Sequence, residues 1–260
     1  MSAKVKTKLS GFAAPLLLLI LWQLLIVVGV LHFRYIPTPI AIIRSLANLA
    51  SSGKLFANVG HTVTVTLIAW VIASILGIVA GVFIGTWVSL WRGVMASVDV
   101  LRALPIIALV PVGVIIFGFT LKLEIVIAAY AAIWPVMVNT ISGVVQTKSE
   151  LRDLGEILHM SFVERLWKLV LPSATPLIIV GLRLGLGLSL VLAVVTEIVG
   201  TPQGVGYALI SAEQALRPAE MFGYIIVVGI IGYLLNAIFM GITRRLPSAG
   251  PSAHNKEVVG

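Results

Sequence analysis

The stretch TVTVTLIAWVIASILGIVAGVFIGTWVSL, residues 62–90, carries no charged side chain. A helix crossing the roughly 30 Å hydrocarbon core of a bilayer needs about 20 apolar residues, and this run is longer than that. It reads as a membrane span. Five further runs read the same way: 12–31, 103–121, 125–147, about 174–196 and 221–243. Composition agrees, with 59% of the 260 residues hydrophobic, 11% charged and a mean hydropathy of +1.11. A soluble core of this size cannot bury that much apolar surface, so lipid must solvate part of it. The expected fold is an all-α integral membrane protein with six transmembrane helices.

The chain is expected to divide into three parts: a tail, first span and external connection (1–61), a transmembrane core (62–243) that includes a long loop (148–172), and a tail (244–260). Lys4, Lys6 and Lys8 precede the first run as they would in a signal peptide, but its apolar stretch is too long and lacks a small-residue cleavage pattern. It is expected to stay as an anchor. Orientation follows from Lys and Arg placement, leaving aside Arg183 within a span: twelve (Lys4, Lys6, Lys8, Arg92, Arg102, Lys148, Arg152, Arg165, Lys168, Arg244, Arg245, Lys256) fall on one side, against five (Arg34, Arg44, Lys54, Lys122, Arg217) on the other. Both termini are therefore expected in the cytoplasm. The net charge of +8 belongs to this bias and to anionic head groups rather than to nucleic acid. No cysteine occurs, which excludes disulfides, thiolate metal sites and a cysteine nucleophile.

Within the spans, Gly77, Gly81 and Gly85 recur every four residues and present bare backbone on one helix face, a packing signal. Pro105, Pro111 and Pro135 each remove a backbone donor and kink or interrupt their helices. The polar residues Asn139, Thr140, Arg183, Glu197 and Asn236 are the candidates for a translocation pathway. For Asn139 and Asn236, helix-to-helix hydrogen bonding and substrate contact both stand. Arg183 reads either as snorkelling to the head groups or as lining the pathway. Glu197 reads as a solvated or structural carboxylate, with substrate contact as the other reading.

Residues 148–172 form the most informative loop. Leu151, Leu154, Ile157 and Leu158 recur at helical spacing, and the pattern breaks at His159-Met160. Ser161-Phe162-Val163-Glu164 then reads as a capping box opening a second short helix through Trp167, which Leu171-Pro172 should end. Four acidic and four basic side chains balance across the loop, whereas an interfacial membrane helix carries a basic excess. A compact docking element is expected.

This loop resembles the EAA motif of binding-protein-dependent ABC transporter permeases. The match runs Asp153-Leu154-Gly155, His159 in place of a glycine, then Leu169-Val170-Leu171-Pro172. Arg102-Ala-Leu-Pro105 with Ala108-Leu-Val-Pro111, Asn139-Thr140, Pro176, Gly181-Leu182-Arg183, Glu197 and Gly204-Val205-Gly206 look like the nitrate/sulfonate/taurine/bicarbonate subgroup. The resemblance implies a MetI-like type I importer permease in the bacterial inner membrane. It also implies a homodimer, a pair of ATPase subunits carrying ATP and Mg²⁺, and an extracytoplasmic substrate-binding protein. Asp153, Leu154, Gly155, His159, Ser161, Phe162, Trp167, Leu171 and Pro172 would couple to the ATPase. The cargo would be a small anion such as nitrate, a sulfonate or another organic acid, or else a vitamin precursor. His159 stands where a left-handed glycine is expected, so the turn is expected to differ.

The residues fit no catalytic reading and imply no cofactor or metal in this chain. No Gly-x-x-x-x-Gly-Lys-Ser/Thr loop occurs, so ATP hydrolysis belongs to another chain. Two rival classes lack their signatures. A secondary transporter or channel would show internal repeats or rows of intramembrane ionisable groups. A membrane hydrolase would need a nucleophile and base or paired ligands, yet His32, His61, His159 and His254 are scattered.

Overall fold

The computed structural model describes residues 17–28, 35–147, 151 and 155–244. Among these, nine helices of ten residues or more account for most of the regular structure. They are α1 (Leu17–Val27), α2 (Pro39–Ser51), α3 (Lys54–Thr86), α4 (Val88–Ala103), α5 (Ile106–Phe117), α6 (Leu121–Val145), α7 (Phe162–Val199), α8 (Gly204–Gln214) and α9 (Pro218–Thr243). Four of them, α3, α6, α7 and α9, are long and apolar enough to cross a membrane. The expected third span is broken into α4 and α5, bent by 79°. The described part of the expected first span is the shorter α1.

Helix α6 lies between α3 and α7, and small residues let the three approach. A Cβ on Gly77, Gly81 or Gly85 would fall 2.8, 2.6 and 2.9 Å from Val136, Thr140 and Val144 of α6. On the other side of α6, Gly143 faces Ala174, while Gly181 and Gly185 of α7 face Asn139 and Val136. The expected glycine face is thus a helix–helix seam. Large apolar side chains point outward instead, as lipid contact permits. Val79, Phe83, Ile115 and Tyr233 are all exposed.

Several elements depart from the expected pattern for identifiable reasons. Thr38 caps α2 by accepting from the Ala41 N–H (3.2 Å), with Pro39 in the first turn. Ile42 and Leu49 then pack inward. The α4–α5 break falls at Leu104-Pro105, because a residue before proline is driven to extended backbone, and Leu104 has ψ 128°. Pro111 and Pro135 stay inside their helices.

The expected helix end at Leu171-Pro172 is not observed: α7 runs from Phe162 to Val199 without interruption. A π-helical turn, Leu166–Val170, immediately precedes Leu171-Pro172, and the Leu171 N–H reaches back to the Leu166 carbonyl. This wide turn is where a proline, lacking its own N–H, is accommodated without breaking the rod.

Candidate functional site

Three levels of the bundle carry polar or exposed groups with something to do. At the end that the expected topology makes the inner one, between α6 and α7, a helical turn at 155–157 closes with His159 in the left-handed region at φ 50°. The Met160 N–H donates to the Gly155 carbonyl (2.9 Å) and the His159 N–H to that of Glu156 (3.0 Å), a Schellman closure with histidine in the glycine position. The left-handed turn therefore forms in spite of the substitution. Ser161 and Glu164 make the expected capping box: Ser161 Oγ accepts from the Glu164 N–H, and Glu164 accepts from the Ser161 N–H (3.1 Å). Gly155 is buried under the Arg165 stem, which a Cβ there would meet at 3.0 Å, and Arg165 also approaches Glu156 at 3.6 Å.

This small, well-capped element turns its apolar side chains outward. Ile157, Leu158, Phe162, Val163 and Trp167 are all exposed, Trp167 at 67%. Asp153 and Leu154 lie outside the described residues, while Leu171 and Pro172 belong to the continuous α7.

At mid-depth, Asn139 Nδ2 donates to the Pro135 carbonyl (2.8 Å) and Thr140 Oγ1 to that of Val136 (2.7 Å), both within α6. Thr140 is wholly buried, whereas Asn139 lines a cleft of about 550 Å³ with Asp99, Arg102 and Trp134. Arg183 of α7 donates through Nε to Asn236 Oδ1 of α9 (2.8 Å), and the two line a neighbouring cleft of about 460 Å³. Arg102 is one of the twelve side chains that charge placement assigns to the cytoplasmic side. It instead stands beside the middle of α6, paired with Asp99 at 3.1 Å.

At the outer end, four elements meet on buried polar groups. Glu197 of α7 accepts from Thr62 Oγ1 of α3 (2.7 Å) and from the Gly206 N–H of α8 (2.8 Å). Thr62 Oγ1 in turn accepts from the Val205 N–H (2.9 Å). A Cβ on Gly204 would collide with the Glu197 carboxylate, and Gly204 has φ 93°, so glycine is required there on both counts. Beside this group His61 bonds to Glu124 of α6 at 2.8 Å, with Glu124 1% and Glu197 0% exposed. The ligand atoms of His61, Glu124 and Glu197 lie within 4.8 Å of one another and could hold a metal ion, although their hydrogen bonds already join α3, α6, α7 and α8. Sequence spacing could not reveal this cluster, because His61 and Glu124 are 63 residues apart and Thr62 and Glu197 135.

Helices with exposed apolar surfaces, a small-residue seam and a capped turn with uncovered apolar side chains describe a multi-pass membrane protein. Residues 73–249 match the family described as binding-protein-dependent transport system inner membrane component, and the chain belongs to that family. It is similar to a protein of Bacillus subtilis (strain 168) described as an aliphatic sulfonates transport permease, SsuC. The two are 28% identical over 92% of this chain and 86% of that one. It is also similar to the nitrate import permease NrtB of Leptolyngbya laminosa, 30% identical over 57% of this chain and 53% of that one. Its fold matches a chain of the MetNI methionine ABC transporter, solved in inward-facing conformations. That match has a TM-score of 0.64 at 19% identity and covers 72% of this chain and 93% of the other.

Proposed function

We propose that this chain, as a homodimer, forms the membrane pathway of an ATP-driven importer of small anions, aliphatic sulfonates and nitrate foremost. An extracytoplasmic binding protein would deliver the anion, and two copies of a separate ATPase, holding ATP and Mg²⁺, would drive the cycle. The observation that carries this reading is the inner element: a capped turn and helix start whose apolar side chains have no cover among the described residues. Residues 155–167 present Ile157, Leu158, Phe162, Val163 and Trp167 together, a patch that fits a groove on a cytoplasmic partner. The names of the relatives support the cargo class, since sulfonate and nitrate are both small oxyanions.

Within this reading residues 62–243 are the transport core, flanked by 1–61 and 244–260, and both termini face the cytoplasm. Reporter fusions at Lys8 and after Arg245 are expected to signal from the cytoplasm, and an external signal from either refutes the topology. Asn139, Arg183 and Asn236 border clefts and are the pathway candidates. Thr140 and Glu197 brace the bundle that surrounds them. Asp153, His159, Leu171 and the rest of the inner element transmit the ATPase's movement to α7.

Trp167→Ala tests the docking role. The variant is expected to insert and melt like the parent, yet to retain less ATPase on co-purification and to lose substrate-stimulated hydrolysis in proteoliposomes. Normal retention together with normal stimulation would remove the docking assignment.

A further inference from the structure

The α4–α5 bend places an ion pair where membrane chemistry does not tolerate one idly. Tyr130 Oη donates to the Leu101 carbonyl (3.2 Å), and the cleft at the bend is walled by Trp134, Pro135 and Asn139. These residues sit around the midpoint of α6, whose span is Leu121–Val145. Asp99 and Arg102 therefore stand at mid-span depth, and each side chain is 49% exposed. Charged groups at that depth persist only against protein or in a water-filled space. The other side of this pair must be one or the other.

The cleft is rich in donors. Arg102 commits one Nη2 contact to Asp99, leaving most of its five N–H groups for another acceptor. Asn139 donates one amide hydrogen to Pro135, which leaves a second. Trp134 keeps a buried indole N–H with no acceptor among the described residues. Among the described residues Asp99 is the only acidic group on the wall. We infer that this cleft is a way station for the transported oxyanion, with Arg102 as its charged contact and Asn139 as its neutral donor; the inference rests on the small-anion reading above. Asp99 has a definite part in it. By holding the guanidinium and repelling the guest, it keeps occupancy weak, and a site on a pathway must release what it binds. A guanidinium without that carboxylate would grip a sulfonate by a charge-assisted, two-pronged bond.

The test uses the full chain in nanodiscs for binding of ethanesulfonate, read by saturation-transfer NMR, with tetramethylammonium as a control. Uptake of labelled ethanesulfonate and nitrate by the complete importer in cells is measured alongside. Asp99→Asn is expected to bind ethanesulfonate about tenfold more tightly, and Arg102→Gln to weaken binding about tenfold or more. Uptake is expected to fall in both variants, in one through slow release and in the other through failed capture. Equal binding in all three proteins, or parental uptake by Arg102→Gln, overturns the assignment. Restored uptake in the charge-exchanged Asp99→Arg/Arg102→Asp protein also overturns it, because that result marks a structural pair facing a second copy. If Arg102→Gln fails to assemble, the near-isosteric Asp99→Asn decides alone: tighter binding with slower uptake supports the way station, and unchanged binding rejects it. Should the parental importer move neither anion, the small-anion reading itself falls. Should it move one while the variants behave as parent, only the way station falls.

Discussion

The two ends of the bundle solve opposite problems. At the outer end His61, Thr62, Glu124, Glu197 and the amides of Val205 and Gly206 satisfy one another, with the two carboxylates sealed from solvent. At the inner end the polar groups are also satisfied, by the capping box and the Schellman turn, but the apolar ones are left uncovered. The difference shows which end the chain can hold by itself. Polar groups buried in a bundle must find partners within it, so the outer end is closed by the fold. The apolar patch has no such partner among the described residues, which is why the docking proposal assigns its cover to another molecule.

Three substitutions test that contrast, beginning with the seam that carries both ends. Gly81→Leu pushes side-chain atoms into Thr140 and the Met137 carbonyl, where even a Cβ would sit 2.6 and 2.9 Å away. Strain of about 3 kcal/mol or more is expected, read as loss of monodisperse protein on size exclusion. A well-behaved variant would mean that α3 does not pack on α6 in the membrane. Glu197→Ala strips the acceptor from Thr62 and Gly206, and each orphaned buried donor costs roughly 1–3 kcal/mol. Its melting temperature in detergent should drop while ATPase retention by the surviving protein stays normal; a loss of retention without a drop in melting would invert the assignment of the two ends. The smallest effect is expected from His159→Gly. Relief of the left-handed strain should stabilise the inner turn by about 1 kcal/mol, seen as slower exchange of the Met160 amide, with the outer end unchanged.

Hydropathy alone located the long spans, because lipid imposes length and apolarity on each span separately. The Gly77, Gly81 and Gly85 face and the Ser161/Glu164 box were legible for a similar reason: both are local patterns whose partners lie within a few residues or on one helix face. Helix α2 was readable in principle, since Thr38-Pro39 is a start signal and Ile42 and Leu49 share a face. What escaped depends on distance or on competition. Pro172 looked like a stop, yet the π turn before it lets the helix continue. Arg102 looked cytoplasmic because a charge next to an apolar run is ordinarily at its edge, and only the 79° bend brings it inward. The outer cluster needed the tertiary fold to bring together residues from four elements.

The uninterrupted path of α7 has a mechanical consequence. Its 38 residues, at about 1.5 Å each, measure about 57 Å from Phe162 to Val199, so one helix extends from the exposed apolar patch to the buried Glu197. With Glu197 pinned to α3 and α8, the outer tip is a pivot and the inner tip carries the throw. A swing of about 5° about that pivot moves the Trp167 end by some 4 to 5 Å, about the rise of one helical turn. Residues near Arg183, about halfway along, travel roughly half as far. A partner gripping the inner end thus needs only a small rotation to shift the wall of the mid-depth clefts past its neighbours.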